Sequence, residues 1–195
     1  MRKAVLAVAL CMSLVVVGCN VSQFEAVLNE VGPAVSTIIQ IVALVRGTPA
    51  DTTIASKVSA DVASIESIYN DWTIASAQAK PGLEGQIDAG FVTLNSDLNQ
   101  VFSVAQVSDQ NTQAKVTALV GLIETAVHIA EAAIPTPTGR LMAKNPPSMS
   151  ANQLVDSYNK ILVAKTGNKS VDAFTPKHKL HKNHSTIFHV VTLGL

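Results

Sequence analysis

Apolar residues recur from Val21 to Ile134 at alternating steps of four and three. Between Val21 and Arg46 the series is Phe24, Leu28, Val31, Val35, Ile38, Val42 and Val45. Between Asp51 and Ala79 it is Val58, Val62, Ile65, Tyr69 and Trp72. Leu83 to Ala105 carries Ile87, Phe91, Leu94, Leu98, Val101 and Ala105, and Asp109 to Ile134 carries Val116, Val120, Ile123, Val127, Ala130 and Ile134. Such spacing puts each series on one stripe of a helix, the seam along which helices pack at shallow angles. The pattern therefore predicts four consecutive helices.

The interruptions are short and rich in turn-forming residues: Gly47-Thr48-Pro49, Lys80-Pro81-Gly82 and Val107-Ser108-Asp109. Asp51 and Asp109 are placed to cap the helices that follow, where a carboxylate accepts free backbone N–H groups. Short loops force antiparallel neighbours. The expected fold is all-α: an antiparallel up-down four-helix bundle over residues 19–134, with a short fifth helix and an irregular basic C-terminal tail. Gly82-Leu83-Glu84-Gly85 reads as a turn. Gly32-Pro33 should kink or split the first helix, because Pro33 has no N–H to give the ladder, and so set a short membrane-proximal helix apart from the bundle. The alternative is a long coiled coil built from several copies of the chain; three short loops in one chain favour the intramolecular bundle. The outward positions hold Ser, Thr, Asn and Gln more than Glu and Lys, a weakly charged surface suited to self-association.

The pattern changes at Pro135. Residues 135–149 contain Pro135-Thr136-Pro137-Thr138-Gly139 and Asn145-Pro146-Pro147 and read as a Pro-rich linker. Ser150 with Gln153 forms a capping-box signature ahead of a short helix whose apolar face is Leu154, Tyr158, Ile161 and Leu162. Beyond Gly167 the chain is rich in Lys and His, and Ile187 to Leu195 is apolar, a strand or an unstructured sticky end.

The N-terminus has a separate character. Arg2 and Lys3 precede an apolar stretch, Ala4 to Val17, broken only by Ser13. This is the pattern of a secretory signal over residues 1–18, too short to serve comfortably as a permanent span. It ends in Val16-Val17-Gly18-Cys19, which resembles the lipobox of bacterial lipoproteins. The resemblance covers residues 1–20 and leaves the fold that follows unassigned. It implies diacylglycerol on the Cys19 thiol, cleavage after Gly18, and acylation of the new amine, with palmitate as a typical chain. Two or three acyl chains hold a protein on a membrane where one does so only marginally. Asn20, where an Asp would favour retention in the inner membrane, points to the outer membrane facing the periplasm. Cys11 and Cys19 are the only cysteines, so the mature chain would keep no free thiol for disulfides, thiolate chemistry or metal ligation.

Composition sharpens this picture. The 195 residues are 48% hydrophobic and 14% charged, too apolar for a disordered chain. No uninterrupted apolar run reaches the roughly 18 residues of a spanning helix, which excludes a multi-pass membrane protein. The formal net charge of zero conceals an asymmetry: residues 20–134 hold twelve acidic and four basic side chains, whereas residues 135–195 hold two acidic and eight basic.

No phosphate-binding loop, nucleophile elbow, dinucleotide fingerprint or H-E-x-x-H motif is present, so neither a catalytic nor a cofactor site is expected and the chain does not read as an enzyme. Glu124, His128 and Glu131 share a face of the fourth helix, but a di-iron bundle needs a matching motif on a second helix; His128 reads as a solvated rim residue. His178, His181 and His184 recur every third residue and are weak candidates for Zn²⁺, Cu²⁺ or Ni²⁺, opposed by Lys177, Lys179 and Lys182 among them. The same lysines suit an anionic envelope surface such as lipid headgroups, lipopolysaccharide phosphates or peptidoglycan carboxylates, or the chain's own acidic bundle. Nucleic acid is not expected, since the tail lacks interleaved aromatics. Tyr69 and Trp72 occupy seam positions and read as core. The expected function is a lipid-anchored envelope scaffold or binding module that tethers a partner at the membrane. The alternatives are a carrier of a small apolar ligand in a core cavity lined by Val42, Ile65, Leu94 and Ile123, and metal capture by the tail.

Overall fold

The computed structural model describes residues 24–134 and 149–181. Cys19 and the signal, the linker through residue 148, Lys182, His184 and the apolar Ile187 to Leu195 lie outside the described residues. Within them the fold is all-helical: α1 (Val31–Arg46), α2 (Thr52–Ile74), α3 (Lys80–Val104), α4 (Gln110–Ala132), α5 (Ala151–Val163), α6 (Lys169–Phe174) and a 3₁₀ turn (Thr175–Lys177).

The seams explain the packing. Every predicted seam residue from Phe24 to Ile134 is buried except Val45 and Val120, which are half-buried; Leu119 is fully buried beside Val120. Helix α1 packs against α2, α4 and α6; α2 packs most extensively on α3, α4 on α5, and α3 more lightly on α4. Two glycines let helices approach closely. A Cβ on Gly32 would lie 2.8 Å from Ser59 Oγ of α2, and one on Gly90 of α3 would lie 2.7 Å from Ile65 Cγ1, distances no ordinary contact tolerates.

The break expected at Gly32-Pro33 falls at Asn29 and Glu30. Pro33 offers no N–H to the Asn29 carbonyl and its ring crowds that group. The Glu30 N–H donates instead to Val27 O at 3.3 Å, a tighter turn, before the helix resumes. The preceding turn, residues 24–28, is not set apart from the rest as expected: Phe24, Val27 and Leu28 are among its most buried side chains. Phe24–Arg46 is long and apolar enough to cross a membrane by length and composition, yet 67% of its most apolar window is buried inside the fold, as in a core helix.

Capping follows the sequence closely. Asp51 accepts the Thr53 N–H at 2.9 Å and Asp109 the Thr112 N–H at 2.8 Å. Ser150 and Gln153 form the reciprocal capping box at α5. Gly47 ends α1 with φ +65°, a left-handed conformation suited to glycine. Two expectations need correction. Lys80-Pro81-Gly82 and Gly82-Leu83-Glu84-Gly85 are not turns but the opening of α3; Pro81 stands at the helix start, where no N–H is required of it, and the connection is residues 75–79. The stretch after Gly167 is not irregular as far as Lys177: Asn168 accepts the Ser170 and Val171 N–H groups and starts α6, and the 3₁₀ turn follows it. The side chains of Leu154, Val155, Tyr158, Leu162, Val171 and Leu180 join the same apolar core as α1 to α4.

Candidate functional site

At the Phe24 end, aromatic rings are layered. Phe24 stacks on Tyr69 with centroids 3.9 Å apart, Tyr69 stacks on Trp72 at 5.7 Å, and Phe91 meets Phe24 edge-on at 6.3 Å. Trp72 Nε1 donates to the buried Glu84 carboxylate at 3.0 Å, and the Lys80 ammonium lies 4.3 Å from the Trp72 ring centroid. Tyr69 and Trp72 are thus core residues, as their seam positions predicted. Glu84, four residues on from Lys80, was legible as a polar residue but not as the indole's partner.

Two half-buried carboxylates on α2, Asp61 and Glu66, sit in surroundings that disfavour their charge. Burial, then the neighbouring Asp97 of α3, pushes the Asp61 carboxyl above its ordinary range, with Lys57 opposing. Burial and the charge of Glu25 do the same for Glu66. Glu30, beside the break in the first helix, is also raised by burial, while His181 of the tail pulls it back.

Of the predicted trio on α4, the structure brings together His128 and Glu131, whose Nδ1 and Oε2 are 3.2 Å apart. Asn95 Nδ2 of α3 donates to the other Glu131 oxygen at 2.9 Å. The His128 side chain is 65% exposed, and Glu124 is exposed. The tail histidines are not gathered. His178 stacks on Phe174 at 3.7 Å with its Nδ1 3.0 Å from the Phe174 carbonyl oxygen, and His181 is exposed; His184 lies outside the described residues. Among the described residues no group of three His, Cys, Asp or Glu side chains is placed to hold a metal ion. Lys177 and Lys179 are exposed.

The polar contacts that sequence reasoning missed tie α5 and α6 to α4. Lys115, on α4, is buried and donates through Nζ to Leu162 O at 2.8 Å, capping the C-terminus of α5. Burial lowers its pKa, and Asp172 opposes that. Asn111 Nδ2 donates to Thr166 O at 3.1 Å. Asp172 accepts from the Thr166 N–H and hydroxyl and from the Gly167 N–H, which holds its carboxyl below the usual range. Asn159 and Leu180 exchange two bonds, of 2.9 and 2.8 Å, that fasten the tail to α5. Tyr158, buried in this region, has its phenol pushed up to about 12 by desolvation. A lysine at a seam-adjacent position four residues before Leu119 was the only available signal.

At the opposite end of α1 a cleft of about 170 Å³ opens between helices, walled by Val42 of α1, Ile54 of α2 and Val101 of α3, with Arg46 and Asp51 at its polar margin. Of the four residues predicted to surround a core cavity, Val42 lines this cleft; Ile65, Leu94 and Ile123 do not, and each is at most 2% exposed. A neighbouring cleft of about 180 Å³ involves Leu44 and Phe174 and shares Ala43 and Thr48 with the first. No known protein family, curated protein or solved structure matches the chain.

Proposed function

We propose that the chain is a lipid-anchored protein of the bacterial cell envelope whose helices form a scaffold or binding module and carry no catalytic centre. The observation that carries this reading is the Val16-Val17-Gly18-Cys19 sequence at the end of a short apolar stretch behind Arg2 and Lys3. Phe24 is five positions on from Cys19, with four residues between them, a reach of at most ~18 Å. Acyl chains on Cys19 would hold the aromatic end of the helices close to the bilayer. Asn20 favours the outer membrane, facing the periplasm. The pairings of α1 with α2, α2 with α3, α3 with α4 and α4 with α1 support an antiparallel up-down four-helix arrangement, with α5 and α6 laid on its α4 and α1 sides. Exposed Lys177 and Lys179 would offer the tail's contact with anionic envelope groups.

Mass spectrometry of the mature N-terminus tests the anchor. The expected species begins at Cys19 and carries diacylglyceryl and acyl additions; Cys19→Ala should leave the membrane fraction. A mature chain beginning elsewhere, or an alanine variant that still fractionates with membranes, would overturn the reading.

A further inference from the structure

We propose that the cleft at the Arg46 end of α1 is a binding site for a small monocarboxylate with an apolar body. Its walls are aliphatic, contributed by three different helices. Its volume, about 170 Å³, is close to that of an engineered apolar cavity of about 150 Å³ that takes up benzene. The body that fits is therefore one of about six carbon atoms.

Arg46 supplies the head-group recognition. Its Nη2 donates to Val104 O at 2.9 Å and to Gln106 O at 2.6 Å, so the exposed guanidinium is tethered to the end of α3. Among the described residues its Nε and Nη1 take no hydrogen-bond partner. A tethered, planar guanidinium with donors left over matches a carboxylate better than a free ammonium does, because less side-chain freedom is lost on binding. The other charged margin residue, Asp51, is already engaged: its Oδ1 accepts the Thr53 N–H, and that bond keeps the carboxyl below its usual range. The remaining cation-binding capacity of Asp51 is the competing possibility, and an amine probe reports on it.

The site lies away from Phe24: the sixteen residues of α1 rise about 24 Å between the two ends. It does not depend on the lipid anchor, so the two readings fail separately. Purified full-length protein, labelled at Ile, Leu, Val and Ala methyl groups, is titrated with hexanoate, 1-hexanol and hexylamine and read by NMR. Saturable shifts are expected at Ile39, Val42 and Val101, with hexanoate binding about tenfold more tightly than hexanol, the worth of one charge-assisted hydrogen-bonded contact. Arg46→Gln should abolish that tenfold preference while leaving hexanol binding unchanged, and Ala43→Leu, which narrows the cleft, should weaken both. Unshifted Ile87 and Leu98 methyl signals certify the fold of each variant. The absence of saturable shifts in the unmodified protein, equal binding of hexanoate and hexanol, or tighter binding of hexylamine would overturn the proposal without recourse to any variant.

Discussion

Helices α1 to α4 and helices α5 and α6 contribute to one core, but they are held in it by different means. The former meet along long aliphatic and aromatic seams, with Ile65, Leu94 and Leu98 buried to 1% or less, and with few side-chain bonds between helices. The latter are shorter, thirteen and six residues, and add directional ties: Lys115 to Leu162, Asn111 to Thr166, Asn159 to Leu180, and the Asp172 clamp on Thr166 and Gly167. A long stripe fixes orientation by its own repeat. A short helix does not bury enough surface to do so, and fixed polar partners then decide where it sits.

Removing a seam residue should break the distinction most forcefully. Leu94→Ala deletes a fully buried side chain and is expected to cost about 2–5 kcal/mol in urea unfolding, with loss of structure in all helices together. Lys115→Met keeps most of the apolar stem and removes the cap on Leu162. The expected loss is about 1–3 kcal/mol, since a buried carbonyl is left without its partner. Hydrogen exchange should then quicken in 151–180 while α2 and α3 stay protected; uniform quickening would show that α5 and α6 are not a separable layer. Asp109→Ala removes the N-cap of α4, with an expected loss of about 0.5–2 kcal/mol in the same unfolding measurement.

The smallest effect is a pH dependence of opposite sign in the two layers. Asp61, raised from 3.8 by burial and Asp97, is more easily protonated in the folded chain than in the unfolded one. Its contribution grows as pH falls through the folded pKa and is complete below 3.8. Asp172, lowered from 3.8 by its N–H and hydroxyl donors, contributes above that value and loses its contribution as pH falls through its folded pKa. As pH is lowered, urea midpoints should therefore lose part of their rise in Asp61→Asn and part of their fall in Asp172→Asn. Identical profiles in the variants and the parent would refute these assignments.

The same difference governs what could be read in advance. The stripe from Val58 to Trp72 repeats often enough to declare both a helix and its buried side, and Asp51, Asp109 and Ser150 carry local capping signals that depend on residues two or three positions away. The start of α3 was misjudged because Pro81 suits both a turn and a first helical position. Helix α6 has six residues, too few for a repeat, and its support comes from Asn168 and Asp172. The role of Lys115 depends on Leu162, 47 residues distant, and no local pattern encodes such a pairing. The cleft beside Arg46 was similarly hidden, since its walls come from three helices.

The interruption at Asn29 and Glu30 also has a mechanical meaning. A pull applied ahead of Phe24 enters the fold through a single helical turn joined to α1 by the tightened turn at Asn29 and Glu30. The turn's hold on the rest is three buried side chains, Phe24, Val27 and Leu28, with the Phe24 ring set between Tyr69 and Phe91. Under load this turn should peel off first, extracting its buried side chains before α1 feels the force, and a single-molecule pulling trace should record a small early extension ahead of the main rupture. Phe24→Ala should lower the force at which that step occurs. The break would thus act as a mechanical fuse between any pull on the chain ahead of Phe24 and the helices behind it.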